Sequence, residues 1–282
     1  MSEEEKQGRN LVTNAHRIVV KVGTSTLTYG NGRMNMRNMD RLARAIADLM
    51  NSGREVVLVT SGAIGVGVGC LDLPERPSEM RDKQAVAAVG QCELMNVYSR
   101  CFAEYSRVVA QILLTKDGID DPRTRANISN TMESLLEKGI LPIVNENDTV
   151  STAEIPHAGT FGDNDTLSAL VARVVNADLL IILSDIDAVY DSNPRENPDA
   201  KRISVVTEVD EALIQGAGGA GSALGTGGMS TKITAMSMLM RHGIAGVIAE
   251  GSQSQILEEI LEGDDIGTLF VPSVAKEPAW TN

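Results

Sequence analysis

The amino-acid sequence predicts an α/β protein, a three-layer αβα sandwich in which helices cover both faces of one mainly parallel central sheet. Three observations carry this prediction. Short β-branched runs alternate with stretches of helical spacing along most of the chain. Strand, helix and strand follow one another repeatedly, the order that crossover connections of a parallel sheet require. One run, Leu179 to Leu183, is almost wholly apolar, as a strand buried on both faces must be. With 282 residues, 43% of them hydrophobic, the chain is long enough to bury a substantial core.

In chain order, Ile18 to Val22 and Glu55 to Thr60 read as strands. Between them Met39, Leu42, Ala43, Ile46, Leu49 and Met50 keep helical spacing, with Gly53 as the stop. A helix follows around Gln84 to Tyr105, then a strand at Val108 to Leu114, a helix near Ala126 to Lys138 and a strand at Ile140 to Val144. Leu167, Leu170, Val171, Val174 and Val175 form the apolar stripe of a helix that leads into the Leu179 strand. Ser230 to His242 reads as a helix whose methionines fill the core, followed by a strand at Ala245 to Ala249. Gln253 to Leu261 is a last amphipathic helix before a short strand near Thr268 to Phe270. The expected division is an N-terminal extension over 1–16, one domain over 17–271 and a linker-like tail over 272–282, with no internal repeat.

Composition excludes several functions. The 38 acidic residues against 25 basic ones leave a formal charge of −13, which repels nucleic-acid phosphates and anionic lipid. An anionic ligand therefore needs a locally basic pocket. No apolar run approaches the ~20 residues of a membrane helix, and Met1 to Gly8 is acidic where a signal peptide is basic and then apolar. A cytoplasmic protein without nucleic-acid or membrane partners is expected. Cys70, Cys92 and Cys101 have neither metal spacing nor an even count, and are expected to be buried or half-buried thiols. His16, His157 and His242 are scattered, so no metal site is expected.

The chemistry gathers in four places. Lys21 lies in an apolar strand and is followed by the Gly23-Thr24-Ser25 turn; it is either a phosphate-facing cation or a lysine at the end of an edge strand. Thr60-Ser61-Gly62 likewise follows a strand and opens a second small-residue pocket. Gly65, Gly67 and Gly69 alternate without making a dinucleotide fingerprint, because Cys70 stands where its last glycine belongs. Gly225 to Lys232 is a glycine-rich entry to a helix, suited either to phosphate or to a plain linker, and lacks the order of a Walker A loop. Between these lie Asn145-Glu146-Asn147-Asp148, after a strand, and Gly162-Asp163-Asn164-Asp165, at a helix start. Such carboxylates and amides suit an ammonium group, metal-bound water or orientation of the lysines, while Asp163 or Asp165 could equally cap the helix.

Taken in this order, VVKVGTSTLT, VTSGAIGVG, AAVGQ, VNENDTVSTAEI, FGDNDTLSALVA and GTGGMSTK resemble the glutamate-phosphorylating branch of the amino acid kinase family, over about Arg17 to Phe270. The resemblance implies the amino acid kinase fold, ATP with Mg²⁺, and γ-glutamyl phosphate as product, the first step of proline synthesis. By position Lys21 and Lys232 match phosphoryl-contacting lysines, and Asp165 matches the aspartate that organises them. Ser61, Asp148 and Asn164 match glutamate-binding residues. Ser184, Asp185, Thr226, Gly227, Gly228, Met229, Ser230, Thr231 and Lys232 match nucleotide contacts, with Ser184 standing where threonine is frequent.

The resemblance also implies feedback inhibition by proline, a homodimer or homotetramer, and coupling to γ-glutamyl phosphate reductase. Many members carry a C-terminal PUA domain, and no segment here corresponds to one. Pro156 to Thr160 lengthens the segment before Gly162-Asp163 relative to the family pattern, and Val150 to Gly162 is the expected lid. Kinases of uridylate, acetylglutamate, aspartate or carbamate, and a non-catalytic amino-acid or nucleotide sensor, are the alternatives.

Overall fold

A computed structural model describes residues 3–150, 163–194, 196–216, 228–251 and 255–277. The elements in order are α1 (Glu3–Thr13), β1 (Arg17–Val22), α2 (Thr24–Leu27), α3 (Met36–Asn51), β2 (Glu55–Val59), α4 (Ala63–Cys70), α5 (Met80–Ala103), β3 (Val109–Leu114), α6 (Lys116–Asp120), α7 (Pro122–Glu137) and β4 (Leu141–Glu146). They continue with α8 (Asn164–Val174), β5 (Leu179–Ser184), β6 (Val189–Tyr190), β7 (Arg202–Ile203), β8 (Val205–Val206), α9 (Glu211–Gly216), α10 (Met229–Met240), β9 (Ala245–Glu250), α11 (Ile256–Glu262) and β10 (Thr268–Phe270).

Eight strands form one sheet in the order β3-β4-β2-β1-β5-β9-β10-β8, and β6 pairs with β7 in a small ribbon. All pairings of the large sheet are parallel except β9 with β10. β1 is central, between β2 and β5, so Lys21 does not end an edge strand. Strand period two divides β1 between two cores. Ile18, Val20 and Val22 pack with side chains of α3, α5 and α11, whereas Val19 faces the side covered by α8 and α10. Lys21, two residues after Val19, emerges on that second side.

Local signals set the helix ends. Asn35 caps α3 through Asn38 N–H, Gly53 follows that helix at φ +89°, Asp121 caps α7 ahead of Pro122, and Asp163 caps α8 through Thr166 N–H at 2.8 Å. The alternating glycines serve close packing. A Cβ on Gly67 would come within 2.1 Å of Val86 O, and one on Gly90 within 1.8 Å of Ala63 O, so α4 and α5 cross in backbone contact.

Sequence periodicity does not reveal α1, which lays Gly8 against Leu269 and Val271, nor the two-residue strands β6 to β8, which are too short to show a period. In the tail, Lys276 pairs with Asp178 at 2.6 Å and runs against Gly243, so residues up to Glu277 lie on the domain. Cys101 is buried; Cys70 and Cys92 are exposed, contrary to expectation. Met229, Met236 and Met240 are buried core residues, as their spacing suggests.

Candidate active site

Because β4, β2, β1 and β5 are neighbours and parallel, their C-terminal ends open at one edge of the sheet. Register aligns Lys21 with Val59 on one side and Ile182 on the other, and Val59 with Val144. One residue further on lie Thr60, Asn145 and Leu183, with Ser184 ending β5. Chemistry-bearing residues from four separate segments are thus collected by strand register alone.

On the α8/α10 side, Lys21 Nζ lies 2.6 Å from Asp165 Oδ1 and Lys232 Nζ donates to Asp165 Oδ2 at 3.0 Å. Thr231 Oγ1 is 3.3 Å from the same Oδ2 and donates to Gly228 O at 2.8 Å. All three charged side chains are at least nine-tenths buried. Burial by itself raises the Asp165 carboxyl, but the charges of Lys21 and Lys232 outweigh it and hold the group below the usual carboxylate range. Two ammonium groups around one carboxylate leave one net positive charge, which an acidic protein needs if it is to receive a phosphoryl group. Asp165 therefore bonds both lysines while Asp163 caps the helix, so the two aspartates of this turn have separate partners.

Beside this cluster is a neutral one. Asn164 Nδ2 lies 2.7 Å from Thr60 O, 2.9 Å from Ser61 Oγ and 2.9 Å from Asn145 Oδ1. Asn145 Oδ1 also accepts from Glu146 N–H at 2.9 Å, and Asn145 Nδ2 donates to Gln91 Oε1 at 2.8 Å. Thr60 Oγ1 and Tyr98 Oη are 2.8 Å apart. Gly62, at φ +98°, turns the chain from Ser61 into α4 with Thr24 packed 3.5 Å from where its Cβ would stand. Asp148 is half-buried; loss of solvent raises its carboxyl above the ordinary range, and the charge of Arg76 partly offsets this.

The structure therefore brings together Lys21, Ser61, Asn164, Asp165 and Lys232, and places Ser184, whose Oγ donates to Asp185 Oδ1 at 3.1 Å, at the adjoining strand end. Gly228 to Thr231 open α10 next to Asp165. Thr226, Gly227, His157 and residues 151–162, with the expected lid and its Pro156 to Thr160 insertion, lie outside the described residues. Gln91 and Tyr98 were not foreseen individually; with Leu94 they occupy positions i, i+7 and i+3 of one buried face of α5. A glutamine inside an apolar helical stripe is the signal that could have found the first. Among the described residues no group of three His, Cys, Asp or Glu side chains could hold a metal ion, and both Asp165 oxygens are engaged by ammonium groups.

Residues 16–250 match the amino acid kinase family. The glutamate 5-kinase of Clostridium perfringens is 56% identical over 263 residues, covering 93% of this chain and 98% of that protein. Those of Listeria monocytogenes and Enterococcus faecalis are each 52% identical, covering 93% of this chain and 95% and 97% of theirs. Among solved structures, the carbamate kinase of Giardia lamblia bound to AMP-PNP superposes with a TM-score of 0.65 at 16% identity, covering 93% of this chain and all (100%) of that one. The UMP kinase of Bacillus anthracis superposes with a TM-score of 0.61 at 14% identity, covering 92% and 97%. At such identity these two speak for the fold alone. With the sheet, the paired lysines and these relatives in agreement, the chain belongs to the amino acid kinase family.

Proposed function

We propose that this chain transfers the γ-phosphoryl group of ATP to the side-chain carboxylate of L-glutamate, giving γ-glutamyl phosphate and ADP, the entry reaction of proline biosynthesis. The observation that carries the reading is the Lys21–Asp165–Lys232 cluster beside the Asn164–Ser61 pair, in a chain 56% identical to a glutamate 5-kinase. Glutamate's side chain has a reference pKa of about 4.3, so at neutral pH it is already a nucleophile and no catalytic base is needed. A carboxylate oxygen forms a bond to the γ-phosphorus as the bond to the β,γ-bridging oxygen breaks; no proton has to move. The obstacle is repulsion between two anions, which Lys21 and Lys232 offset while aligning the groups for in-line transfer.

Asp165 keeps both ammonium groups in place, acting as a positioning residue. Ser61, Asn164 and Asp148 hold glutamate, the last through its ammonium group, and Ser184, Asp185 and the 226–232 segment hold the nucleotide. Mg²⁺ would arrive bound to ATP and would neutralise part of the phosphate charge. Proline shares the α-carboxylate and cationic amine of glutamate and competes with it; inhibition unrelieved by high glutamate would overturn that. The homodimer or homotetramer, the coupling to γ-glutamyl phosphate reductase and the cytoplasmic location belong to the same proposal; among the described residues no helix is long and apolar enough to cross a membrane.

The deciding experiment is an ADP-release panel with glutamate, aspartate, acetylglutamate, uridylate and carbamate, trapping the acyl phosphate as a hydroxamate. Turnover and hydroxamate with glutamate are expected. Preference for another acceptor would overturn the reading.

A further inference from the structure

Gln91 lies one layer away from the phosphoryl-transfer cluster, on α5, yet it is joined to Asn164 by a chain of amides that crosses the sheet edge. Two backbone groups that cannot be reversed set the direction of Asn145 and Asn164, and that of Gln91 follows from Asn145. Glu146 N–H can only donate, so Asn145 presents Oδ1 to it at 2.9 Å and must turn Nδ2 the other way, toward Gln91 Oε1 at 2.8 Å. Thr60 C=O can only accept, so the Asn164 atom 2.7 Å from it is Nδ2. That Nδ2 also meets Asn145 Oδ1 and Ser61 Oγ, which leaves Asn164 Oδ1 on the opposite side of its amide, without a partner among the described residues, as an acceptor for a ligand's N–H.

Gln91 itself is an expensive choice for a core position. The residue is 7% exposed, and Nε2 is buried with no hydrogen-bond partner among the described residues, a condition that costs folding free energy. A methionine of similar length would carry no such donor. What methionine cannot supply is the oxygen that receives Asn145 Nδ2. Gly90, whose Cβ would meet Ala63 O at 1.8 Å and Gly67 N at 2.4 Å, brings α5 against α4 and sets Gln91 at the strand ends.

We infer that Gln91 is a positioning residue for the amino-acid substrate: by accepting from Nδ2 it holds Asn145 at its second end, fixes where the shared Oδ1 stands, and so keeps Asn164 placed with Oδ1 facing the substrate's ammonium group. Without that anchor Asn145 is held only through Oδ1, its amide is free to tilt about that end, and Asn164, which shares Oδ1, loses its fixed position. This rests on the proposed reading that Asn164 contacts glutamate.

The test is steady-state kinetics with glutamate and ATP varied separately, plus thermal unfolding, on Gln91→Met, Gln91→Glu and Asn164→Ala. Gln91→Met exchanges the unpaired Gln91 donor for an unpaired Asn145 donor, so Tm should hold within a few degrees. Its KM for glutamate should rise about tenfold, the scale of one lost orienting hydrogen bond, with KM for ATP unchanged. Gln91→Glu keeps an oxygen toward Asn145 and should restore the glutamate KM. A purely structural Gln91 gives other results: loss of the fold in Gln91→Met, equal changes in both KM values, or Gln91→Glu as impaired as Gln91→Met, and each overturns the inference. Unchanged glutamate KM in Asn164→Ala overturns the substrate reading and this inference with it; a raised value there beside an unchanged one in Gln91→Met overturns only the relay.

Discussion

The two halves of the site, a few residues apart at the same sheet edge, are held by different physics. The Lys21–Asp165–Lys232 cluster is ionic and nearly sealed from solvent, with Asp165 only 1% exposed. Attraction between full charges acts over distance and tolerates small angular errors. The Gln91–Asn145–Asn164 cluster is neutral, and each amide works only when its oxygen and nitrogen point the right way. The ionic half is suited to a phosphoryl group whose charge redistributes during transfer, and the amide half to a substrate whose ammonium group must be held in one orientation. Damage to the first should appear as lost stability and turnover, damage to the second as weakened glutamate binding.

The largest effect should come from Asp165→Ala. It strands two buried ammonium groups, a loss of about 3–5 kcal/mol in denaturant unfolding at neutral pH. Asp165 titrates below its ordinary value in the folded protein, so this stabilisation is complete above the unfolded value of about 3.9 and is lost as pH falls through the folded one. The gap between parent and variant should therefore close only below about pH 4. A gap that closes near neutrality would break the ionic account.

Next, Lys232→Met should lower kcat by about 10² to 10³, the scale for one preorganised charge-stabilising group, with a smaller change in KM for glutamate. An unchanged kcat in a folded variant would remove Lys232 from the phosphoryl-transfer machinery.

Asp148→Ala should chiefly raise KM for glutamate, by about tenfold, and leave KM for ATP little altered. Loss of solvent raises the Asp148 carboxyl, so in the parent the glutamate KM should climb on acidification at a higher pH than an ordinary aspartate near 3.9 would require. Equal losses for both substrates would transfer Asp148 to the ionic half.

The smallest effect is expected from Tyr98→Phe. It removes only the bond between Tyr98 Oη and Thr60 Oγ1, worth about 1 kcal/mol or 2–4 °C in Tm, and leaves the Thr60 carbonyl to Asn164. A large rise in glutamate KM from this variant would show that the amide half extends further into α5 than Gln91.

What the sequence determined by itself is the run of long strands and helices, without α1 or β6 to β8, and the candidates for the reactive groups. Strand and helix periodicity are local properties, and they placed β1, β2, β5, β9 and the long helices to within a few residues. The motifs carried Lys21, Asp165, Asn164 and Lys232 because charged and amide residues in apolar or glycine-rich surroundings stand out even in one dimension. The tertiary structure alone decided which groups meet. β1 became central rather than an edge through pairing with β2 and β5, which no local pattern specifies. Asp163 and Asp165, two residues apart, were divided between a cap and an ion pair by where the first turn of α8 lies against α10. Gln91 reaches Asn145 across 54 positions of chain because glycines let α4 and α5 approach to backbone contact, and such a meeting is a property of packing, invisible to spacing along the chain.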